Sequence, residues 1–374
     1  MQYKIFTPQD LQGKFKGNLY CFGAGRAFDA FFAGIAGKSL AKYVRAVVDN
    51  QADKLSISVK TLNGREIPII SFERLLNDIE EGDIILITTA LFREIIAQMD
   101  AIEKLKNMEY GIYFAVEIEF HDKNGASLPV PDSLALYEEI RIPKVIHYCW
   151  FGEGEIPAKY QKWMKSWEKY CPDYEIIRWS EDNYDVHKSR YISQAYETGQ
   201  WAFVSDYARI DIINEYGGVY LDTDVELIRN MDELLKNDAF CGFEDCQVVA
   251  YGLGFGSKKQ NGILAEIKEY YDSHCFQQED GTLDKRCCPY IQTEIMEKHG
   301  LKRNGEFQIV DGMTVLPIQV LCGMSSHSFR ILRDLSHTYA IHHYTASWLT
   351  EEWRKRQQDR KEWLKDNKDY IYLD

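Results

Sequence analysis

Several features are missing from this chain, and each absence narrows what it can be. No run of about 18 apolar residues occurs among its 374 residues, so no helix is expected to span a bilayer. The opening residues, MQYKIFTPQDLQGKFKGN, have no apolar stretch of the kind a secretory signal carries. Basic residues are outnumbered, 44 against 58 acidic, and the net charge of −14 argues against a nucleic-acid surface as the main purpose. The nine cysteines form no paired CxxC array, so their spacing does not suit zinc. An odd, scattered set that includes adjacent Cys287 and Cys288 reads as reduced thiols in a cytosolic protein. There is no low-complexity tract, and 45% hydrophobic with 27% charged residues is ordinary globular composition.

The length suits two domains. Asn18–Phe28 reads as a strand entering a glycine turn, with a helix from Asp29 and a second strand ending at Asp49. Gly23, Gly25 and Asp49 then have the layout of a nucleotide-binding β-α-β unit, but the third glycine of that fingerprint is replaced by Phe28. The alternative is that these glycines only make the tight turn. Strands around Asn63-Gly64, a helix over 72–79, a strand from Asp83, a helix over 91–106 and a final strand over 111–116 complete a small Rossmann-like α/β domain, residues 1–138. Its polar last segment, 121–139, reads as a linker.

The second domain, 139–374, opens with the strand Ile142-Pro-Lys-Val-Ile-His-Tyr-Cys-Trp-Phe-Gly152. His147 within it reads as a core histidine with a hydrogen-bond partner. A helix over 157–170, a strand over 173–179 and a helical stretch to Tyr196 follow. The segment from Trp201 to Asp224 holds the chemistry. Phe203, Tyr207, Ile210 and Ile213 recur at helical spacing, and Asp206 and Arg209, three apart, share a face. Gly217-Gly218 supplies a left-handed stop, and Val219-Tyr220-Leu221 is a short strand. Asp222 and Asp224 stand where that strand runs out, the end at which α/β sheets gather ligands. Two carboxylates there suit Mg²⁺ or Mn²⁺ bridged to phosphate. Taken alone, such a pair is more often two solvated loop acids, and Asp206–Arg209 an ordinary surface pair. Tyr251-Gly-Leu-Gly-Phe-Gly-Ser257 suggests a flexible loop or strand near an acceptor. Tyr339 to Trp348 is a strand carrying His342 and His343, which alternate to opposite faces, followed by Ser347-Trp348. The charged tail from Thr350 reads as a helix.

The compound pattern IPKxIHxxWFG, SDxxR, GGxYxDxD and the late His with Ser-Trp resembles glycosyltransferase family 32, and its relatives among the α-galactosyltransferases and large clostridial glucosylating toxins. The resemblance implies a GT-A-type catalytic domain of α/β class. It implies that Trp150 and Phe151 line the donor nucleotide pocket, with Trp150 against the base. Asp206, Arg209, Asp222 and Asp224 would be the catalytic set, and Tyr220, Ser347 and Trp348 would stand at the donor. Asp222, Asp224 and His342 would be metal ligands for Mn²⁺ or Mg²⁺. The implied partners are a nucleotide-sugar donor, UDP-sugar favoured, and a saccharide or lipid-linked saccharide acceptor in cell-surface polysaccharide synthesis. Retention of anomeric configuration is implied as well. The implied setting is cytoplasmic, with peripheral contact at the inner membrane face as an option. Three other readings stay open: an oxidoreductase using the Gly23–Asp49 unit, a metal-dependent phosphatase using Asp222 and Asp224, and a non-catalytic sugar-binding protein.

Overall fold

The computed structural model describes residues 2–3, 11, 15–55, 57–126, 128–152, 154–244, 248–326, 329–332, 334–345, 355, 358–360, 362, 363 and 366. The chain divides into two compact units, Met1–Lys123 with Glu352–Asp374, and Asn124–Glu351. The division thus falls nearer 123 than the expected 138, and the tail groups with the first unit rather than the second. Trp363 explains the tail's place, since it is buried against Phe92 and Phe114 with ring centroids 6.2 and 5.5 Å away.

The first unit is a seven-stranded sheet in the order Gln2–Tyr3, Glu109–Ile112, Ile84–Ile87, Leu19–Phe22, Val44–Val48, Arg65–Ile70, Val59–Leu62. All neighbours are parallel except the last pair, the hairpin turning at Asn63-Gly64. Its central strands are apolar throughout, as a sheet covered on both faces requires. The expected strand over 111–116 is wrong. Pairing ends at Ile112, and Tyr113–Ala126 is a helix that also consumes the start of the supposed linker. Phe114, Ala115 and Ile118 join the core from it, a spacing of three to four that an apolar run of this length does not distinguish from a strand.

The second unit is also α/β. Its sheet runs Gln308–Val310, Met313–Leu316, Ala239–Gly242, Phe255–Ser257, Gly218–Tyr220, Val145–Cys149, Glu175–Trp179. The last three are mutually parallel, as the strand-helix order before Asp222 implies. Phe255–Ser257 lies antiparallel beside Gly218–Tyr220 and is fully buried, so of the two options, loop or strand, this part is a core strand. The helix Trp201–Tyr216 is buried on nearly every side, including Asp206, Arg209 and Asp211. Gly217 (φ +69°) ends it and Gly218 (φ +103°) turns the chain into the sheet. A Cβ on Gly218 would stand 2.8 Å from the Val145 carbonyl oxygen and 2.9 Å from His147 Nε2, so the strand-to-strand approach requires glycine. A two-stranded ribbon, Val225–Leu227 with Ala340–His342, projects from the carboxyl end of Gly218–Tyr220. Among the described residues, no helix is long and apolar enough to cross a membrane.

Candidate active site

The site assembles where Gly218–Tyr220 ends. Leu221 is tied to the neighbouring strand through its N–H on the His147 carbonyl, 3.1 Å. Asp222 then closes a turn, its carbonyl accepting from Val225 N–H at 3.0 Å, and the chain enters the ribbon. In that ribbon Val225 pairs with His342, so a residue more than a hundred positions later in the chain arrives beside Asp224. His342 Nε2 lies 3.1 Å from Asp224 Oδ1. The other carboxylate oxygen of Asp224 accepts from Thr345 N–H at 3.0 Å and from Thr345 Oγ1 at 2.7 Å. His343 turns to the opposite face, as the strand period predicts. It stacks on Trp163 with centroids 3.9 Å apart and meets Glu226 Oε2 at 2.9 Å.

Asp222 is held from two sides. Tyr220 donates its hydroxyl to Asp222 Oδ1 at 3.0 Å, and Arg209 Nη2 lies 3.4 Å from the same oxygen. Arg209 Nη2 is also 2.9 Å from Asp206 Oδ1, and Arg209 Nε donates to the Ser205 carbonyl at 3.2 Å. Asp206 and Arg209 are only 6% and 5% exposed, which rules out an ordinary surface pair. An arginine so placed between two carboxylates fixes both. Gly252 closes in on the other side: a Cβ there would stand 2.4 Å from Asp222 Oδ2 and 3.1 Å from Arg209 Nη1.

Burial raises the Asp222 carboxyl, and Asp224 adds to it, while Arg209 pulls the other way. Burial likewise raises Asp206 against the pull of Arg209. Asp224 is the opposite case: burial would raise it, but His342 and the Thr345 hydrogen bonds hold it below the usual carboxylate range. His342 is disfavoured as a cation by burial, yet Asp224 and Asp222 raise it above an ordinary imidazole. Arg209 stays charged, its burial overcome by Asp222, Tyr220 and Asp206. The set therefore carries unequal carboxylates, one firmly ionised.

This donor set fits a divalent cation. Ligand atoms from Asp222, Asp224 and His342 lie within 4.8 Å of one another, and no other group of three or more His, Cys, Asp or Glu among the described residues does so. Two carboxylates and an imidazole suit Mn²⁺, and Mg²⁺ less closely. Moreover, His342 Nδ1 is buried without a hydrogen-bond partner, an unusual cost in the absence of a further ligand.

Tyr220 is 1% exposed and gives its hydroxyl to Asp222, so it positions that acid. Phe151 is buried in the core against Tyr184. Trp150 is half-buried at the end of its strand, its indole N–H on the Gly154 carbonyl at 2.9 Å and its ring edge-on to Tyr160. Ser347 and Trp348 lie outside the described residues. In the first unit, Gly23 takes φ +115° and Asp49 turns inward, Oδ2 accepting from Ala24 N–H at 3.2 Å and Oδ1 from Gln51 N–H at 2.8 Å. One carboxylate oxygen is thus used on the glycine turn and the other on the turn after Asp49, which favours the tight-turn reading of Gly23, Gly25 and Asp49. Thr345 and Gly252 were not foreseen. A threonine near a motif carries no signal by itself, and Gly252 was visible only as one glycine of a rich stretch.

Comparison with known proteins agrees with this geometry. Residues 157–241 match the family described as the glycosyltransferase sugar-binding region containing DXD motif. The matched stretch lies within the second unit and contains Asp206, Arg209, Asp222 and Asp224. The chain is similar to inositol phosphoceramide mannosyltransferase 3 of Schizosaccharomyces pombe, 35% identical over 107 residues, 26% of this chain and 29% of the relative. It is also similar to mannosyl phosphorylinositol ceramide synthase CSH1 of Saccharomyces cerevisiae, 34% identical over 110 residues, 26% of this chain and 27% of that one. The matched part is thus under a third of each of these relatives. A solved structure, the PaToxG glycosyltransferase, overlaps 55% of this chain and 80% of its own at a TM-score of 0.35 and 19% identity, too loosely to bear on fold or function.

Proposed function

We propose that the protein is a metal-dependent glycosyltransferase that moves a hexosyl group from a nucleotide-diphosphate sugar to a hydroxyl of a saccharide or lipid-linked acceptor. The observation that carries this reading is the meeting of Asp222, Asp224 and His342 within 4.8 Å, beside a buried Asp206–Arg209 pair, in a region of the DXD class. Asp222, Asp224 and His342 would hold Mn²⁺ or Mg²⁺, which when bound supplies positive charge to the departing diphosphate. Arg209 and Asp206 orient the donor, by hydrogen bonds to sugar hydroxyls or phosphate that are fixed before the reaction begins. Tyr220 and Thr345 hold the two acids in place. Asp206, Asp222 and Asp224 are each engaged by a cation or a hydrogen-bond donor, so none is a free nucleophile. The retention that the family resemblance implies would then come from front-side attack by the acceptor hydroxyl. The reaction would take place at the cytoplasmic side, with the acceptor at the inner membrane face and feeding cell-surface polysaccharide.

A UDP-hexose is the donor that the family resemblance favours. The two yeast relatives are named for mannosyl transfer, which sets GDP-mannose beside it as a second reading. Incubation with Mn²⁺ and a panel of UDP- and GDP-sugars, measuring released nucleotide, distinguishes them. One donor should be turned over, and Asp224→Asn should abolish that turnover. If no donor is bound or hydrolysed and Asp224→Asn leaves Mn²⁺ binding unchanged, the proposal is wrong.

A further inference from the structure

The first unit contains a cleft of about 630 Å³ that has no part in the site above. Its cationic mouth lies at the amino ends of the parallel strands, and it extends along Arg65–Ile70 to Arg74 and Asp78 of the helix Phe72–Asp78. Asn18 precedes Leu19–Phe22, Lys42 precedes Val44–Val48, and Arg65 begins its own strand. The Gly23 turn and Asp49 belong to the opposite, carboxyl ends, so this is not the crevice a dinucleotide fold would use.

Four cations line the cleft, Lys42, Arg45, Arg65 and Arg74, against two acids, Glu66 and Asp78. In a chain of net charge −14 that is a local reversal of sign. Only Arg74 is neutralised, by Asp78 at 2.7 Å. Arg65 is fixed without being neutralised: its guanidinium donates to the carbonyls of Lys42 at 2.9 Å and Val44 at 3.2 Å. Lys42 and Arg45 have no ion pair among the described residues.

Arg45 reaches the cleft through an irregularity in the sheet. Leu19 pairs with Val44 but Tyr20 pairs with Ala46, so Arg45 is skipped and has no residue opposite. Such bulges are rare in parallel pairs and commonly re-aim a side chain near a functional surface. Tyr20 lines the same cleft; burial and the charges of Asp83 and Asp78 raise its phenol, and Arg45 acts in the opposite sense. Tyr20 and Tyr43 add aromatic wall to a polar mouth.

We propose that this cleft binds a phosphate-bearing ligand, with Lys42 and Arg45 as its free cations and Arg65 as the pre-fixed one. Arginine forks and a lysine suit phosphate oxygens, and the volume admits a phosphorylated sugar or headgroup. The proposal stands apart from the transferase reading. It holds or fails whichever donor the second unit takes.

The test uses full-length protein carrying Asp222→Asn and Asp224→Asn, in EDTA, so that binding at the second unit is removed. Inorganic pyrophosphate is titrated by calorimetry, and co-sedimentation is measured with phosphatidylcholine vesicles with and without a phosphoinositide. Saturable binding of pyrophosphate assigns the cleft to a soluble phosphorylated compound. Binding only to phosphoinositide vesicles assigns it to a lipid headgroup. In either case, Lys42→Ala with Arg45→Ala should weaken binding by about tenfold or more. Both side chains are exposed, so circular dichroism should show an unchanged fold. Donor hydrolysis measured with those two substitutions alone should also be unchanged. Absence of binding to both probes, or binding indifferent to the double substitution, overturns the proposal.

Discussion

Asp224 and His342 stand 3.1 Å apart because an antiparallel ribbon pairs His342 with the residue after Asp224. The register of two short strands, not the loop that carries the acids, brings the third ligand into place. A one-residue slip in that ribbon would exchange His342 for His343 and dismantle the site.

Thr345 is the outer support of this arrangement, with both its N–H and its hydroxyl on Asp224 Oδ2. Thr345→Val keeps the shape and removes the hydroxyl bond. The Mn²⁺ concentration for half-maximal activity should rise by roughly 10–100-fold, with activity recovered at saturating metal. Metal-activation curves on the two proteins check this. An unchanged curve would mean that Thr345 does not orient Asp224.

The two adjacent histidines should separate cleanly. His342→Ala should weaken Mn²⁺ binding, and it should also cost some stability because Asp224 loses a buried partner. His343→Ala, which loses the stack on Trp163 and the Glu226 contact, should lower stability by about 1 kcal/mol. It should leave metal affinity near wild type. Isothermal titration with Mn²⁺ and urea unfolding on both variants provide the four numbers, and a metal defect in His343→Ala would reverse the assignment.

Gly252 is required by what it does not carry. A methyl group there would enter the space of Asp222 Oδ2, at 2.4 Å, and crowd Arg209. Gly252→Ala should therefore cost about a hundredfold in turnover through displacement of Asp222. Its unfolding midpoint should change little, since its surroundings on the Asp222 side are a side-chain carboxylate and not backbone. Turnover within a few-fold of wild type would show that Asp222 has room to move.

The reach of the sequence can be judged from particular residues. The helix Trp201–Tyr216, its double-glycine stop and the placing of Asp222 and Asp224 after a strand were all readable, because each depends on local spacing and backbone chemistry. The opposed faces of His342 and His343 followed from strand period alone. The hydroxyl of Tyr220 on Asp222 is not legible in the spacing, because only packing shows that its ring is inside. The tail was given to the wrong unit since nothing local in Trp363 says which core it enters. Thr345 and Gly252 act through contacts made far along the chain, which no spacing rule encodes.

His147 gives a prediction whose sign follows from its partners. The indole N–H of Trp179 donates to Nδ1 at 3.0 Å, and Nε2 meets the Gly217 carbonyl at 3.0 Å. A tryptophan only donates and a carbonyl only accepts, so the ring is neutral with its proton on Nε2. A second proton would have to point at the indole N–H. Burial accordingly lowers the imidazole to about 4, against some help to the cation from Gly217. Below the unfolded value near 6.5 the unfolded chain takes up a proton that the folded chain refuses, so stability falls as pH drops from about 6.5 towards 4. Between pH 7 and 5 this group should cost about 2 kcal/mol. His147→Gln has no such proton to take up. The stability gap between wild type and His147→Gln, measured by urea unfolding, should therefore narrow by about that amount at pH 5. A gap that is constant with pH would mean that folding leaves the imidazole's titration unchanged, and that the hydrogen bond from Trp179 does not hold the ring neutral.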